Sequence, residues 1–425
     1  MNNELEAVRK TVLPNGLVVI TESMPQFRSV AVGIWVRTGS RSEPESLGGI
    51  SHFIEHMVFK GTERRSCEEI ARTMDSVGGM LDAFTTKEMV CFSAKVLDEH
   101  LPLAFDVIAD MVLRPLFAPP DIAKEKQVVL EEIKMDEDNP ETLVSETFLQ
   151  HFWADHGLGR PILGTPETVE GFDRARVFDW FRRCYVPNNM VISAAGNLEH
   201  HRLVEMIAAQ FASLPAGADG FQVTPPRPHA PVVVRQKREL EQAHLCVGAP
   251  AFAVADHRRF ACALLNNVLG AGMSSRLFQN IREQQGLAYS VFSEMNPYHD
   301  TGLLSVYAGT GSDKVERLVG SVLDEFRRLK ESAVGPEELH RAKEQLKGSM
   351  TLGLESTGAR MANRARQQVY FGRSVALEEI FSSIDAVTAD QIQHVARQLF
   401  APDHIALAAV GHLERFHPTR DLLAC

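Results

Sequence analysis

Apolar and polar residues follow two periods along the chain, and these periods divide each half into strands and helices. The runs LPNGLVVITES (13–23) and SVAVGIWVRTGS (29–40) are apolar and bounded by turn residues, which predicts two strands of an antiparallel meander. Residues 80–96 predict one or two further strands. Helical spacing occurs in four stretches of the first half, at residues 50–60, 66–77, 99–112 and 121–136. The pattern is typical of an α+β domain.

The same plan occurs twice. YVPNNMVISAAGNLE (185–199) aligns without a gap with FAPDHIALAAVGHLE (400–414) at an offset of 215 residues, and a stretch of helical period precedes each. Residues 216–231 between the halves are rich in Pro and Gly, as in an exposed linker. We therefore predict two homologous domains, residues 1–215 and 232–425, each a mainly antiparallel sheet packed with helices.

Composition and charge exclude some classes of partner. The 425 residues include 44 Lys and Arg against 55 Asp and Glu, and no block of basic residues interrupts the net charge of -11, so we expect no nucleic-acid partner. No stretch of eighteen uncharged apolar residues occurs, so we expect no membrane span.

The start of the chain and the cysteines predict a compartment. The first residues include Glu4 and Glu6 and contain no apolar core of signal-peptide length. The six cysteines are scattered without a Cys-x-x-Cys pair, which predicts free buried thiols in a reducing compartment. We therefore expect a cytoplasmic protein.

The segment GGISHFIEHMVFKGT (48–62) carries the most distinctive polar pattern. On a helix turning ~100° per residue, His52, Glu55 and His56 form one stripe and the apolar residues form the opposite one. Two imidazoles at i and i+4 can hold one metal ion, with a carboxylate one turn away that acts on water. The order His-x-x-Glu-His inverts the common zinc-protease signature. The alternative is a surface or core pair of histidines without a metal.

A catalytic zinc ion needs a third protein ligand, and the residues alone leave its identity open. The predicted helix in PPDIAKEKQVVLEEIKMDEDNP (119–140) is the richest source of carboxylates. Glu125 and Glu132 lie seven residues apart on one face, whereas Glu131 is turned about 100° away. Most carboxylates on such a helix are simply solvated.

Together these motifs resemble the pitrilysin/insulysin metallopeptidases, in the branch of the mitochondrial processing peptidase and its bacterial relatives. HFIEH is followed, 76 positions after His56, by the second Glu of VVLEEI, and the resemblance continues through GGMLDAFTTKE and DHGLGRPILGT into the second half. It implies one zinc ion per chain, held by His52, His56 and Glu132. It also implies that Glu55 is the general base and that Glu125 has a supporting catalytic role.

The resemblance also implies residues that contact substrate. Arg282 and Tyr289, in IREQQGLAYS, match a pair that binds the peptide backbone and stabilises the tetrahedral intermediate; taken alone, they would be a solvated Arg and a half-buried Tyr. GGMLDAFTTKE matches a strand along which the substrate adds as a further strand, although the residues alone predict an ordinary edge strand. An Asp where relatives often have Asn would favour a cationic substrate residue. The strand residues concerned are Asp82, Ala83, Phe84 and Thr85.

In the second half the catalytic pattern is missing. At the offset of 215 residues, Asn267, Gly270 and Ala271 stand opposite His52, Glu55 and His56, and His-x-x-Glu-His does not recur after residue 56. We therefore expect one catalytic and one non-catalytic domain. By resemblance, the fold is of the processing-peptidase/LuxS-like metallohydrolase type and forms half of a clamshell.

These observations lead to one functional hypothesis and one alternative. The hypothesis is a zinc endopeptidase that hydrolyses peptides or unfolded polypeptides inside a dimeric chamber, as a homodimer or as a heterodimer with a related chain. The alternative is a non-catalytic subunit of a processing-peptidase-like complex. Loss of ligand residues would favour the alternative, and here all the expected ligands are present.

Overall fold

The computed structural model describes residues 4–217 and 224–425, which form two compact units. Each unit contains one sheet packed with helices, as predicted for an α+β protein with two similar domains. Each unit is assembled from three separate segments of the chain. The first comprises residues 4–133, 160–217 and 351–377, and the second comprises residues 134–159, 224–350 and 378–425.

The compact units therefore cross the domain boundaries that sequence similarity gives at 215 and 232. Within the predicted linker 216–231, residues 218–223 lie outside the described residues, and residues 224–231 form neither helix nor strand.

The two sheets share one strand order. The first sheet runs β1-β2-β6-β3-β5-β4 and the second runs β7-β11-β8-β10-β9, so every strand of the second sheet has a counterpart in the first. In each sheet one pair is parallel, β2 with β6 and β7 with β11, and the other pairs are antiparallel. The strands are β1 (Val8–Val12), β2 (Val18–Ser23), β3 (Ser29–Val36), β4 (Met80–Thr85), β5 (Val90–Leu97), β6 (Met190–Gly196), β7 (Val232–Gln236), β8 (Gln242–Ala251), β9 (Ala288–Pro297), β10 (Gly302–Gly311) and β11 (Ala406–Gly411).

The predicted meander of the first two runs is wrong. β2 and β3 are consecutive in this sheet's sequence order but not neighbours in space, because β6 lies between them, parallel to β2 and antiparallel to β3. β6 is buried along its whole length, which accounts for its continuous apolar sequence. The edge strand β4 instead alternates exposed and half-buried residues.

The helices match the four predicted stretches of the first half and repeat in a similar order in the second. They are α1 (Ile50–Val58), α2 (Cys67–Asp75), α3 (Leu101–Leu113), α4 (Pro119–Asp138), α5 (Pro140–Phe152), α6 (Pro166–Glu170), α7 (Arg174–Cys184), α8 (His200–Phe211), α9 (Arg259–Leu269), α10 (Val315–Glu331), α11 (Pro336–Gly353), α12 (Thr357–Phe371), α13 (Leu377–Asp385) and α14 (Ala389–Leu399). A π-helix, Phe278–Gln284, stands between α9 and β9.

Each sheet is covered on one face by a helix from the other half of the sequence. In the first unit α12 packs on β2, β3 and β6 through Met361 and Ala365. In the second unit α5 packs on β8 and β11 through Val144 and Phe148. The exchange explains why each unit needs separate segments of the chain to complete its core.

A buried ion cluster fixes α12 to its sheet. Glu22 on β2 is 3% exposed and accepts hydrogen bonds from Arg364, at 2.7 Å, and from Arg360, at 2.5 Å. A buried carboxylate without a partner is costly, so both guanidinium groups favour the packed position of α12. The pairing joins residues more than 300 positions apart.

The structure corrects the prediction for the cysteines in part. All six are free; four are buried, whereas Cys67 is exposed and Cys425 is half-buried. In the described part of the chain, no helix is both long enough and apolar enough to cross a membrane.

Candidate metal centre

The helix that carries the histidines is anchored at its start by a buried carboxylate. Glu43 accepts hydrogen bonds from the backbone N–H groups of Gly49, at 2.7 Å, and Ser51, at 2.8 Å. It thus replaces a side-chain N-cap and places negative charge at the positive end of α1. Burial raises the pKa of Glu43, and these hydrogen bonds oppose that effect. The helical period gave no signal for this role.

Gly49 is required at the same turn for two reasons. Its φ is 90°, in the left-handed region, and a Cβ there would stand 2.4 Å from the carbonyl oxygen of Leu163. The turn therefore sets where α1 begins and which of its faces meets the core.

α1 has the two faces that its sequence predicts. Phe53 and Met57 are fully buried in the core of the first unit, together with the other apolar residues of the helix. His52, Glu55 and His56 are on the opposite stripe and are partly buried or half-buried.

Two histidines of α1 and one glutamate of α4 converge. The Nε2 atoms of His52 and His56 lie 3.8 Å and 3.6 Å from Oε2 of Glu132, and the two imidazole centroids are 4.5 Å apart. One ligand atom from each side chain lies within 4.8 Å of the others. Glu131, the alternative carboxylate, is exposed. Among residues 4–217 and 224–425, no second group of three such side chains meets this criterion.

The chemistry of this group fits a zinc ion. Glu132 Oε2 is shielded from solvent and has no hydrogen-bond partner among the described residues, although buried polar atoms are normally paired. Its distances from the two Nε2 atoms are too long for hydrogen bonds but leave room for a shared cation. Two imidazole nitrogens and one carboxylate oxygen form a donor set used by catalytic zinc sites.

Burial and neighbouring charges set the protonation of the histidines. Burial, reinforced by the adjacent His56, lowers the pKa of His52 to about 3, so His52 is neutral near pH 7, as a metal ligand must be. Burial also acts to lower the pKa of His56, but the hydrogen bond to Glu125 and the charge of Glu132 raise it overall.

Glu125 orients His56. Its Oε1 lies 2.8 Å from His56 Nδ1, so a neutral His56 donates from Nδ1 and leaves Nε2 on the side of Glu132. Lys60 pairs with the other oxygen, Oε2, at 2.7 Å. Burial acts to raise the pKa of Glu125, but the bonds from His56 and Lys60 lower it overall.

Glu55 lies beside the cluster and contacts the edge strand. Thr85 Oγ1 donates a hydrogen bond to Glu55 Oε2, a contact that the sequence did not indicate. Burial raises the pKa of Glu55, partly offset by this bond. A cavity of about 300 Å³ opens next to both residues of α1. It is lined by Glu55, His56, Phe59, Lys60, Leu81, Asp82, Ala83 and Glu125.

The predicted substrate strand is an open sheet edge. Within the described sheet, β4 pairs only with β5. Asp82 and Phe84 are exposed on one face of β4, while Ala83 and Thr85 are half-buried on the other. Phe84 packs edge-on against Trp35, with ring centroids 5.4 Å apart.

Arg282 and Tyr289 contact each other in the second unit, whereas the histidines belong to the first. The Arg282 guanidinium lies 4.6 Å from the ring centroid of Tyr289 and 4.7 Å from that of Phe278. Tyr289 is 80% exposed rather than half-buried. Arg282 is on the π-helix, a local distortion that is frequent at functional sites.

A buried polar network supports that π-helix. Glu325 of α10 is 2% exposed and accepts a hydrogen bond from Asn280 Nδ2 at 2.7 Å. Asn280 in turn accepts one from Gln285 Nε2 at 3.0 Å. The sequence gave no signal for this network, because its members belong to different elements.

The second unit has a counterpart of α1 without its polar groups, but the constant offset is wrong there. α9 takes the place of α1 between its first antiparallel strands and ends at Leu269, so Gly270 and Ala271 lie after the helix. The connection into the helix spans residues 37–49 in the first unit and 252–258 in the second, which shifts the register.

Comparison with known proteins agrees with this division. Residues 18–166 match the family description "Insulinase (Peptidase family M16)", and residues 171–346 match "Peptidase M16 inactive domain". An uncharacterized zinc protease of Bacillus subtilis is 41% identical, over 95% of this chain and 98% of its own. One of Streptomyces coelicolor is 40% identical, over 96% of this chain and 90% of its own.

Solved structures share the fold at low identity. An M16 inactive-domain protein from Pseudomonas fluorescens has a TM-score of 0.90 at 21% identity, covering 97% of this chain and 100% of its own. A chain of the Candida albicans complex III2 has a TM-score of 0.85 at 22% identity, covering 98% of this chain and 100% of its own. Given the matched residues and the relatives named as zinc proteases, the chain belongs to the insulinase family of peptidases, family M16.

Proposed function

We propose that this chain is a zinc-dependent endopeptidase that hydrolyses peptides or unfolded polypeptide segments. The observation that carries the proposal is the convergence of His52, His56 and Glu132 within 4.8 Å, with Glu55 beside them at a cavity. The names of the most similar relatives, which describe zinc proteases, support the same activity.

The side chains of the site divide the chemistry between them. Zinc held by His52, His56 and Glu132 would supply a Lewis acid that activates water and polarises the scissile carbonyl. Glu55 takes the proton of the attacking water and passes it to the leaving amine. Thr85 engages Glu55 Oε2, so Oε1 remains for proton transfer. The raised pKa of Glu55, caused by burial, makes it a stronger base than an exposed carboxylate.

We propose that the substrate adds to the sheet along Asp82–Thr85. An open edge offers main-chain hydrogen bonds to an extended peptide regardless of its sequence. Thr85 connects this strand directly to Glu55, so a peptide on the edge would lie close to the base. N-methylation of the substrate amides that pair with β4 should lower kcat/KM, and unchanged cleavage of such peptides would contradict this mode.

The direct test of the function is cleavage of a quenched-fluorescence peptide library together with zinc analysis. We expect about one zinc per chain, loss of cleavage after treatment with 1,10-phenanthroline, and recovery when zinc is added back. A protein that contains zinc yet cleaves no member of the library would favour the alternative, a non-catalytic subunit. The similarity to a complex III2 chain supports that alternative only at the level of fold.

Tyr289→Phe tests the role of the second unit. If the hydroxyl donates to charge that develops on the carbonyl oxygen, its removal should lower kcat about 100-fold with little change in KM. The exposed ring and its stacking on Arg282 should remain. Zinc content, which depends on residues of the first unit, is the control. Unchanged kcat would remove Tyr289 from the mechanism.

We further propose that the protein works as a homodimer, with a related chain as the alternative partner. By the family resemblance, a two-domain chain supplies half of a closed chamber. Analytical ultracentrifugation should give about twice the mass of one 47.2 kDa chain. A species with the mass of one chain that cleaves peptides would contradict the proposal.

The cytoplasm is the proposed compartment. The six free thiols are compatible with a reducing environment. Cell fractionation with an antibody to the protein would test this, and recovery outside the cytoplasm would contradict it.

A further inference from the structure

Lys60 stands just beyond the end of α1, in contact with a residue that orients a proposed ligand. Its Nζ lies 2.7 Å from Glu125 Oε2, and the other oxygen of the same carboxylate lies 2.8 Å from His56 Nδ1. Glu125 is 3% exposed, while the Lys60 side chain is about one-third exposed at the cavity wall. The three residues thus form one continuous chain of hydrogen bonds.

The charge on Glu125 needs a partner. A buried carboxylate without a compensating cation costs several kcal/mol, on the order of the cost of breaking a buried ion pair. His56 binds a metal as the neutral imidazole, so its Nδ1–H orients the carboxylate but carries no full positive charge. Lys60 supplies that charge and occupies the oxygen that His56 leaves.

We propose that Lys60 is a positioning residue of the metal centre. By pairing with Glu125 it holds His56 so that Nε2 points to Glu132 and the zinc(II) position. The inference rests on the proposed function, because it requires that His52, His56 and Glu132 bind zinc. It differs from the reading of Lys60 as a surface salt bridge, which would contribute about 0–1 kcal/mol to stability and nothing to the metal.

The experiment measures the zinc dissociation constant by competition with a chelator. Lys60→Met removes the charge and keeps the apolar stem, and it should weaken zinc binding about tenfold, the lower end of the range for such supporting residues. Lys60→Arg should restore most of the affinity, because a guanidinium can pair with the same oxygen. Lys124→Met is the matched control, since Lys124 is exposed on α4 beside Glu125.

A double-mutant cycle separates positioning from a general effect of charge. Glu125→Gln alone should also weaken zinc binding, and Lys60→Met added to it should cause little further loss, because Lys60 acts through Glu125. Lys60→Gln gives the same comparison if Lys60→Met does not fold. The melting temperature of each variant shows that the folded protein is being compared.

The outcomes distinguish this inference from the function on which it rests. Wild-type protein that binds no zinc would overturn both. Wild-type protein that binds zinc, with Lys60→Met equally tight or with additive losses in the cycle, would overturn the role of Lys60 alone. A tenfold loss that is absent when Glu125 is already Gln supports it.

Discussion

Glu55→Gln should abolish peptide cleavage while zinc remains bound. The amide has nearly the same shape and can still accept the hydrogen bond from Thr85, but it cannot take a proton from water. General bases contribute about 10²–10⁴-fold to rate, so we expect kcat to fall by roughly 10³-fold or more. Zinc content should be unchanged, because Glu55 is not among the three side chains that converge on the metal position. Single-turnover cleavage and metal analysis on the same sample measure both quantities.

The control for that variant is Glu68→Gln, which makes the same change on an exposed side chain of α2 in the same unit. It should keep wild-type activity. If Glu55→Gln cleaved peptides at the wild-type rate, Glu55 would not be the base, whatever the zinc content. If instead Glu55→Gln lost zinc, Glu55 would contribute to binding the metal and the division of roles in α1 would have to change.

Local pattern was sufficient to predict the helix at the centre of the site. The opposition of His52 and His56 to Phe53 and Met57 follows from a period of 3.6, and the structure has both faces. The repeat YVPNNMVISAAGNLE and FAPDHIALAAVGHLE likewise predicted equivalent elements, now seen as β6 and β11 in the same position of two similar sheets. Such features depend on short stretches of sequence.

Contacts between distant segments could not be predicted in the same way. The insertion of β6 between β2 and β3 depends on strands more than 150 residues apart, and no periodicity encodes which strands pair. The packing of α12 on the first sheet, through Glu22 and Arg364, depends on residues 342 positions apart.

The supporting contacts of the site were hidden for a related reason. Glu43, Thr85 and Lys60 have ordinary local contexts, and each acquires its role from a partner on another element. The residues alone also left the third ligand open between carboxylates of α4. Only the placement of α4 against α1 brings Glu132, rather than Glu131, to the histidines.

Glu132→Gln should therefore weaken zinc binding strongly, and Glu131→Gln should not. A zinc site of four ligands binds with about 10–16 kcal/mol, so the loss of one anionic ligand should cost roughly 3 kcal/mol, on the order of a hundredfold in the dissociation constant. Peptide cleavage should be lost at zinc concentrations that saturate the wild type. Chelator competition and the cleavage rate, measured over a zinc titration, test both effects.

Glu131→Gln is the closest control that the chain offers, because it removes the same charge one position away on the same helix. Its side chain is turned about 100° from Glu132 and is exposed, so zinc affinity and cleavage should stay at wild-type levels. The reverse result, with zinc lost from Glu131→Gln and retained by Glu132→Gln, would mean that the metal position lies on another face of α4. Loss in both variants would point to a long-range effect of charge instead of ligation, since the two substitutions change the field of α4 almost equally. A difference of about a hundredfold between two neighbouring positions on one helix has no such explanation, because it requires direct contact with the metal.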